Sequence, residues 1–347
     1  MQPVSRRVVL AIALLTATVL LAATQACGPS LQPYQAMRFP ADPPETASSG
    51  VQVTFLGVST LLIQDGETAF MTDGFFTRPG VLSLLLASRL RPDSVAIDSA
   101  LSRLGVEPGG GRLAAVIPLH SHYDHVMDAP VVAERTGARL VGSPSTRAVA
   151  ESMGYGGSFT AVRAGGTVPL GRFGVEFIEC VHGPPDRWPG VVRAPFRTPA
   201  PAGHYRTGNC FSLLVEREGR SFLVTGTAGF VPGAYAGRDA DVVYLSVGGL
   251  GKADSLYRAS YWDEVVRATR ARRVVLIHWD NLTRSVHKPL RSIPRLEDDL
   301  TKTIGQYCTL AAHDGVDLRL AREWTAADPF AGLPADGARL RGGCPGR

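Results

Sequence analysis

The chain is short of cysteine, of charge of either sign in excess, and of apolar stretches long enough to cross a membrane. It has five cysteines in 347 residues, and none stands in the CxxC spacing of a structural zinc site. The formal net charge is +5. Arg6 and Arg7 sit in a leader without acidic residues, which leaves +3 on the rest. No clustered basic stripe accompanies that surplus, so a nucleic-acid partner is not expected. The longest apolar run, Val8 to Ala23, is on the short side for a membrane span. There is no long low-complexity tract and no internal repeat. The stretch Gly248-Gly249-Leu250-Gly251-Lys252 lacks the glycine and the Ser or Thr of a phosphate-binding loop, because Ser246 and Ala253 stand there. A serine-hydrolase elbow, GxSxG, is also missing.

What is present suits one large mixed domain. The sequence is 45% hydrophobic and 19% charged, which is enough to bury a single sizeable core. Its 38 glycines and 25 prolines favour many turns over a long helical bundle. Residues 1–27 read as an export signal: Arg6 and Arg7, a short apolar core, then Thr24-Gln25-Ala26-Cys27. Cys27 is the expected lipid-attachment point, and Ser5-Arg6-Arg7 is similar to a twin-arginine signal. The protein is therefore expected outside the cytoplasm, anchored through Cys27 to a membrane facing the periplasm or the cell exterior. Residues 28–50, rich in Pro, Ser, Ala and Gln, read as a flexible tether. The body spans 51–325, and 326–347 is a C-terminal tail. Cys308 and Cys344 could tie that tail down as a disulfide or stand as isolated thiols.

Within the body, Val51–Leu56, Ser59–Gln64 and Thr68–Thr72 read as a strand meander. Helices are expected over Val81–Leu90 and Ser94–Leu104, the second capped by Asp93 or Ser94. Alternating strands and helices follow, which implies βαβ units and an α/β fold: Leu113–Leu119, Ala129–Thr136, Arg139–Gly142 and Ser145–Met153. A strand over Val175–Val181 ends at His182. Residues 183–209 form a long Pro- and Arg-rich loop, a length usually reserved for function. A hairpin then turns at Glu218-Gly219. Further on, strands are expected over Val242–Val247, Val274–Ile277 and Val316–Leu320, and helices over Tyr261–Thr269 and Arg295–Leu310.

The densest chemistry is His120-Ser121-His122-Tyr123-Asp124-His125. Imidazole nitrogen and carboxylate oxygen are donors that borderline zinc accepts. In extended backbone His120 and His122 project to one side, and a turn after Tyr123 brings Asp124 and His125 toward a second ion. The cluster follows an apolar strand, as do His182 and His278, and strand ends are where α/β sheets bind ligands. His204 and Arg206 lie in the long loop as candidate substrate contacts.

This pattern resembles the HxHxDH signature of the metallo-β-lactamase superfamily. Val53-Thr-Phe-Leu-Gly-Val-Ser-Thr, Thr72-Asp73, Thr225-Gly226 and His278-Trp279-Asp280 are similar to its other motifs, in order, over Val51 to Leu320. Among its branches the lactonase-like and N-acyl-phosphatidylethanolamine phospholipase D-like hydrolases look closest. The resemblance implies a four-layer αββα sandwich with metals along one edge. It implies a first zinc on His120, His122 and His182, and a second on Asp124, His125 and His278. Metal-activated hydroxide would then attack an ester, lactone or phosphodiester in a small-molecule or lipid-like substrate, with Asp124 as the catalytic carboxylate. One departure stands out. Thr227 occupies the place of the family's metal-bridging Asp, which implies a tight first site and a weaker second. It also keeps open a non-catalytic or weakly active metal- or ligand-binding protein on the same fold.

Overall fold

A computed structural model describes residues 28–40, 49–106, 113–333 and 343–345. The expected leader and Cys27 lie outside the described residues. The strands in chain order begin with β1 (Arg38–Phe39), β2 (Gln52–Phe55), β3 (Leu61–Gln64) and β4 (Ala69–Thr72). Next come β5 (Leu113–Ile117), β6 (Arg139–Gly142), β7 (Phe159–Ala161), β8 (Thr167–Leu170) and β9 (Phe173–Cys180). The last are β10 (Cys210–Arg217), β11 (Arg220–Thr225), β12 (Val242–Ser246), β13 (Arg273–Ile277), β14 (Asp317–Ala321) and β15 (Ala326–Ala327). They form two sheets, ordered β15-β2-β3-β4-β5-β6-β7 and β1-β14-β13-β12-β11-β10-β9-β8.

Side-chain alternation explains why the sheets stack. In the first sheet Leu61, Ile63, Phe70, Ala115, Ile117 and Val141 join one cluster with Phe177, Leu213 and Val215 of the second. The residues between them, Leu62, Met71, Val116 and Leu140, face the other way, as a period of two requires. That outer face is covered by α2 (Ser94–Arg103), α4 (Ala129–Thr136) and α5 (Pro144–Ser152), through Ile97, Leu101, Val132, Ala133 and Ala150. The second sheet is covered by α6 (Ser255–Trp262) and α7 (Leu300–Asp314), which bring Tyr261, Trp262, Ile304 and Tyr307 to the core. The result is an αββα sandwich.

Several expected boundaries move. The stretch expected as a helix to Leu90 is helical only over α1 (Val81–Leu85). α6 starts at Ser255 because Asp254 caps it, accepting from the Tyr257 amide at 2.7 Å, and it runs on as a π-helical turn over Asp263–Arg267. α7 starts five residues later than expected, capped by Asp299.

Two terminal expectations need correction. The tether 28–50 is built into the body over its first part: Gln32–Met37 forms a 3₁₀ helix, and β1 pairs in parallel with β14. Met37 and Phe39 reach the core. A two-residue parallel strand has no local turn to announce it, so composition alone pointed to a linker. The tail 326–347 likewise begins too early. β15 pairs with β2, Phe330 and Leu333 are buried, and Cys344 is bonded to Cys308. No helix among the described residues is long and apolar enough to cross a membrane.

Candidate metal centre

β4, β5, β9, β11, β12 and β13 all release their carboxyl ends at the same edge of the sandwich. β5 ends at Ile117, and Leu119 is held there by its amide donating to Asp73 Oδ1 at 2.9 Å. His122 is still extended and caps α3 (Tyr123–Val126). That helical turn carries Asp124 and His125 to a different side from His120 and His122. His182 follows β9 and His278 follows β13. The structure thus brings the six residues into two groups, His120 with His122 and His182, and Asp124 with His125 and His278. Within each group the donor atoms lie within 4.8 Å of one another.

Hydrogen bonds at the back of three of the rings decide which nitrogen faces inward. His182 Nδ1–H donates to the Gly183 carbonyl at 2.7 Å, and a carbonyl can only accept, so Nε2 carries the lone pair. His125 Nδ1–H donates to Asp73 Oδ2 at 2.7 Å. His122 is reversed. Its Nε2–H donates to Thr207 Oγ1 at 3.1 Å, and the Thr207 hydroxyl donates to Asp186 Oδ2 at 2.6 Å. His122 Nδ1 therefore faces His120 Nε2, 3.1 Å away. Partners of this kind fix ring orientation and raise ligand basicity at metal sites.

Burial does the rest. It lowers the pKa of His120 and His125 well below the usual histidine range, assisted by the neighbouring imidazoles. It holds His122 and His278 to about 4 and lowers His182. Asp124 is pushed up to about 6 by the same burial. At neutral pH the cluster is five uncharged imidazoles with one carboxylate, gathered in two groups of three donors. Such a donor set fits a divalent cation.

Strain and buried charge frame the second group. Val58, Asp73 and His278 all have φ near +55°, a region a β-branched residue rarely enters. His278 N–H donates to the Val58 carbonyl at 2.8 Å, and Val58 N–H donates to Asp280 Oδ1 at 2.6 Å. Asp280 is paired in turn with the buried Arg78 at 3.0 Å. A β-carbon at Gly248 would stand 2.6 Å from His278 Nδ1, so the glycine run that fails as a phosphate loop instead lets the backbone approach this ring. Asp128 ties the 73–77 segment to the cluster, accepting from the Phe76 and Thr77 amides.

Thr227, buried, does not point its hydroxyl between the two groups. Its Oγ1 accepts the Gly183 N–H at 3.0 Å, which steadies the residue that orients His182. The long loop lies over the first group, where Trp188 meets the His122 ring edge-on at 5.7 Å. Beside it opens a cleft of about 580 Å³ bordered by His182, Asp186, Val181, Val191, Arg163 and Phe211. His204 and Arg206 are not brought to the six donors; both are exposed and border a separate pocket of about 220 Å³.

Residues 95–279 match the family model described as the Beta-lactamase superfamily domain. The chain belongs to that superfamily. A metal-dependent hydrolase of Heliobacterium modesticaldum is 23% identical over 261 residues, covering 72% of this chain and 91% of that one. Another from Anaeromyxobacter dehalogenans is 36% identical over 97 residues, 25% of this chain and 35% of the relative. Among solved structures, Igni18, a metallo hydrolase from Ignicoccus hospitalis, aligns over 80% of this chain and 97% of its own, with 14% identity and a TM-score of 0.48. A mutant of the β-hydroxylase CmlA aligns over 81% and 54%, with 12% identity and a TM-score of 0.50. That likeness is one of fold. With its donor set and its superfamily, the protein is a metal-dependent hydrolase.

Asp73, Asp186, Thr207, Asp280 and Arg78 were not singled out as site residues from the sequence. Asp73 and Asp280 carried a signal, since each lies just beyond a strand ending at the same edge of the sandwich. Asp186 and Thr207 lie in a loop without periodicity and gave none.

Proposed function

We propose that the hydrolase works with zinc in two sites of unequal strength and cleaves an ester, lactone or phosphodiester bond in a small or lipid-like substrate. We further propose that it does so outside the cytoplasm, tied to a membrane by lipid on Cys27. The observation that carries the reading is the pair of nitrogen-and-oxygen donor groups beside an open cleft. His120, His122 and His182 would hold the first ion, and Asp124, His125 and His278 the second. When bound, zinc supplies a Lewis acid and brings the pKa of water to near 7.

The chain's own residues do the remaining work. Asp186, through Thr207, and Gly183 hold His122 and His182 in the tautomers that turn a lone pair inward. Asp124, ionised above about 6, is placed to take up a proton from the attacking water at its carboxylate oxygen. Val181 and Val191 offer partly exposed apolar walls to the cleft, and Arg163 and Glu179 offer charge. That mixture supports a substrate with an apolar portion beside the polar bond to be cleaved.

The test is metal analysis of the protein together with a hydrolysis screen on lactones, esters and phosphodiesters. Chelation should abolish turnover on one of these classes and added zinc should restore it, while His122→Ala should be inactive. Full activity in His122→Ala would overturn the reading. Thr227 favours a second one, a metal- or ligand-binding protein without turnover. Two bound zincs with no hydrolysis of any class would select it.

A further inference from the structure

α1 is amphipathic in the wrong sense for a helix on a soluble body. It buries none of its residues. Leu82, Leu85 and Leu86, spaced i, i+3, i+4 and so on one stripe, are 72%, 75% and 76% exposed. Leu84 alone turns inward, against the cluster that holds Phe75 and Leu282. An apolar stripe of this kind on a water-facing helix marks an interaction surface.

The surroundings say what covers it. The exposed Arg89 and Arg91 follow α1 directly. The 281–291 loop packs against the same cluster as Leu84 through Leu282 and exposes Lys288 and Arg291. The exposed acids of these stretches are few. Asp93 caps α2, and Asp98 is paired with Arg135. The described chain also begins on this side. The Ser292 hydroxyl donates to the Pro29 carbonyl at 2.6 Å, Ser292 bridges to Asp280, and Asp280 pairs with Arg78, three residues before α1. An apolar stripe flanked by cations is the chemistry that enters the boundary of an anionic bilayer.

We propose that this face lies on an anionic lipid bilayer, with Leu82, Leu85 and Leu86 among the acyl chains and Arg89, Arg91 and Lys288 among the headgroups. The contact is additional to any lipid on Cys27 and fixes how the body sits. Leu90 pairs with Ala200 of the long loop, amide to carbonyl at 2.8 Å, so the loop over the metal centre borders the bilayer. Lipid-like substrates would then reach the cleft without crossing water. The surface itself does not depend on the substrate reading.

The test uses the full chain carrying a polarity-sensitive fluorophore at Leu85→Cys. The control places it at Glu67→Cys, in the turn before β4, at the end of that strand remote from the metal centre. With vesicles of phosphatidylglycerol and phosphatidylethanolamine, the Leu85 probe should shift to the blue and be quenched by acyl-brominated lipid. The Glu67 probe should do neither, and Arg89→Glu with Arg91→Glu should abolish the Leu85 response. Water-like emission from Leu85 on these vesicles overturns the proposal. So does an equal response on phosphatidylcholine, or at Glu67. Shielding of Leu85 before lipid is added overturns it too, since a second copy or a protein partner would then cover the face. No catalysis is read, so failure here leaves the metal-centre reading untouched.

Discussion

Single side chains set how strongly each ion is held. Metal and protons compete for the same lone pairs. As pH falls from neutral, Asp124 takes a proton near 6, while His122 resists until about 4 and burial holds His120 well below the usual histidine range. The second site should therefore weaken as pH passes below about 6, and the first only as its histidines take up protons at lower pH. Metal content after dialysis at stepped pH checks the order, and simultaneous release would contradict it. Thr227 bears on both sites. Thr227→Val leaves the buried Gly183 amide unpaired, at a cost of about 1–3 kcal/mol, and should weaken the first site through His182, whereas Thr227→Ser should not. Thr227→Asp should instead raise bound zinc toward two per chain. Denaturant melts with metal titration separate the three variants.

At the level of elements, sheet edges matter most. β1 is two residues long, yet it closes one edge of the second sheet, and its own Phe39 is almost wholly buried. Phe39→Ala should cost about 3 kcal/mol, in the range of buried aromatic truncations. A flexible tether would show no change, so urea unfolding distinguishes the two. The elements that deliver the metal donors were legible beforehand for a simple reason. β5, β9 and β13 are apolar runs ending at His120, His182 and His278, and each run reports its own burial. β7 and β8 were not anticipated. β7 is short and partly exposed, and β8 carries a proline, so neither offers a continuous β signal. α7 was displaced because apolar spacing extends past the cap, and Asp299 rather than periodicity decides where the first turn closes.

Across the whole molecule, the Cys308–Cys344 bond joins α7 to the C-terminal segment over a separation of 36 residues. Chain-entropy arguments put such a closure at about 2–4 kcal/mol, so Cys308→Ser should lower the unfolding free energy by that amount without changing metal content. A loss of metal along with stability would mean that the tail also braces the site. The amino-acid sequence by itself determined the donor types, their strand-end positions and the two-sided alternation that stacks the sheets, because periodicity and donor identity are written in consecutive residues. Only the tertiary structure decided which nitrogen of each histidine turns inward, that Thr227 serves Gly183, that Arg78 and Asp280 hold Val58 and His278 in place, and that the leucine stripe of α1 stays in the open. Apart from the His182 tautomer, set by the adjacent Gly183, and the open leucine stripe, these rest on a partner supplied from elsewhere in the chain, 222 residues away for Val58 and Asp280. No local pattern encodes a neighbour that only folding brings near.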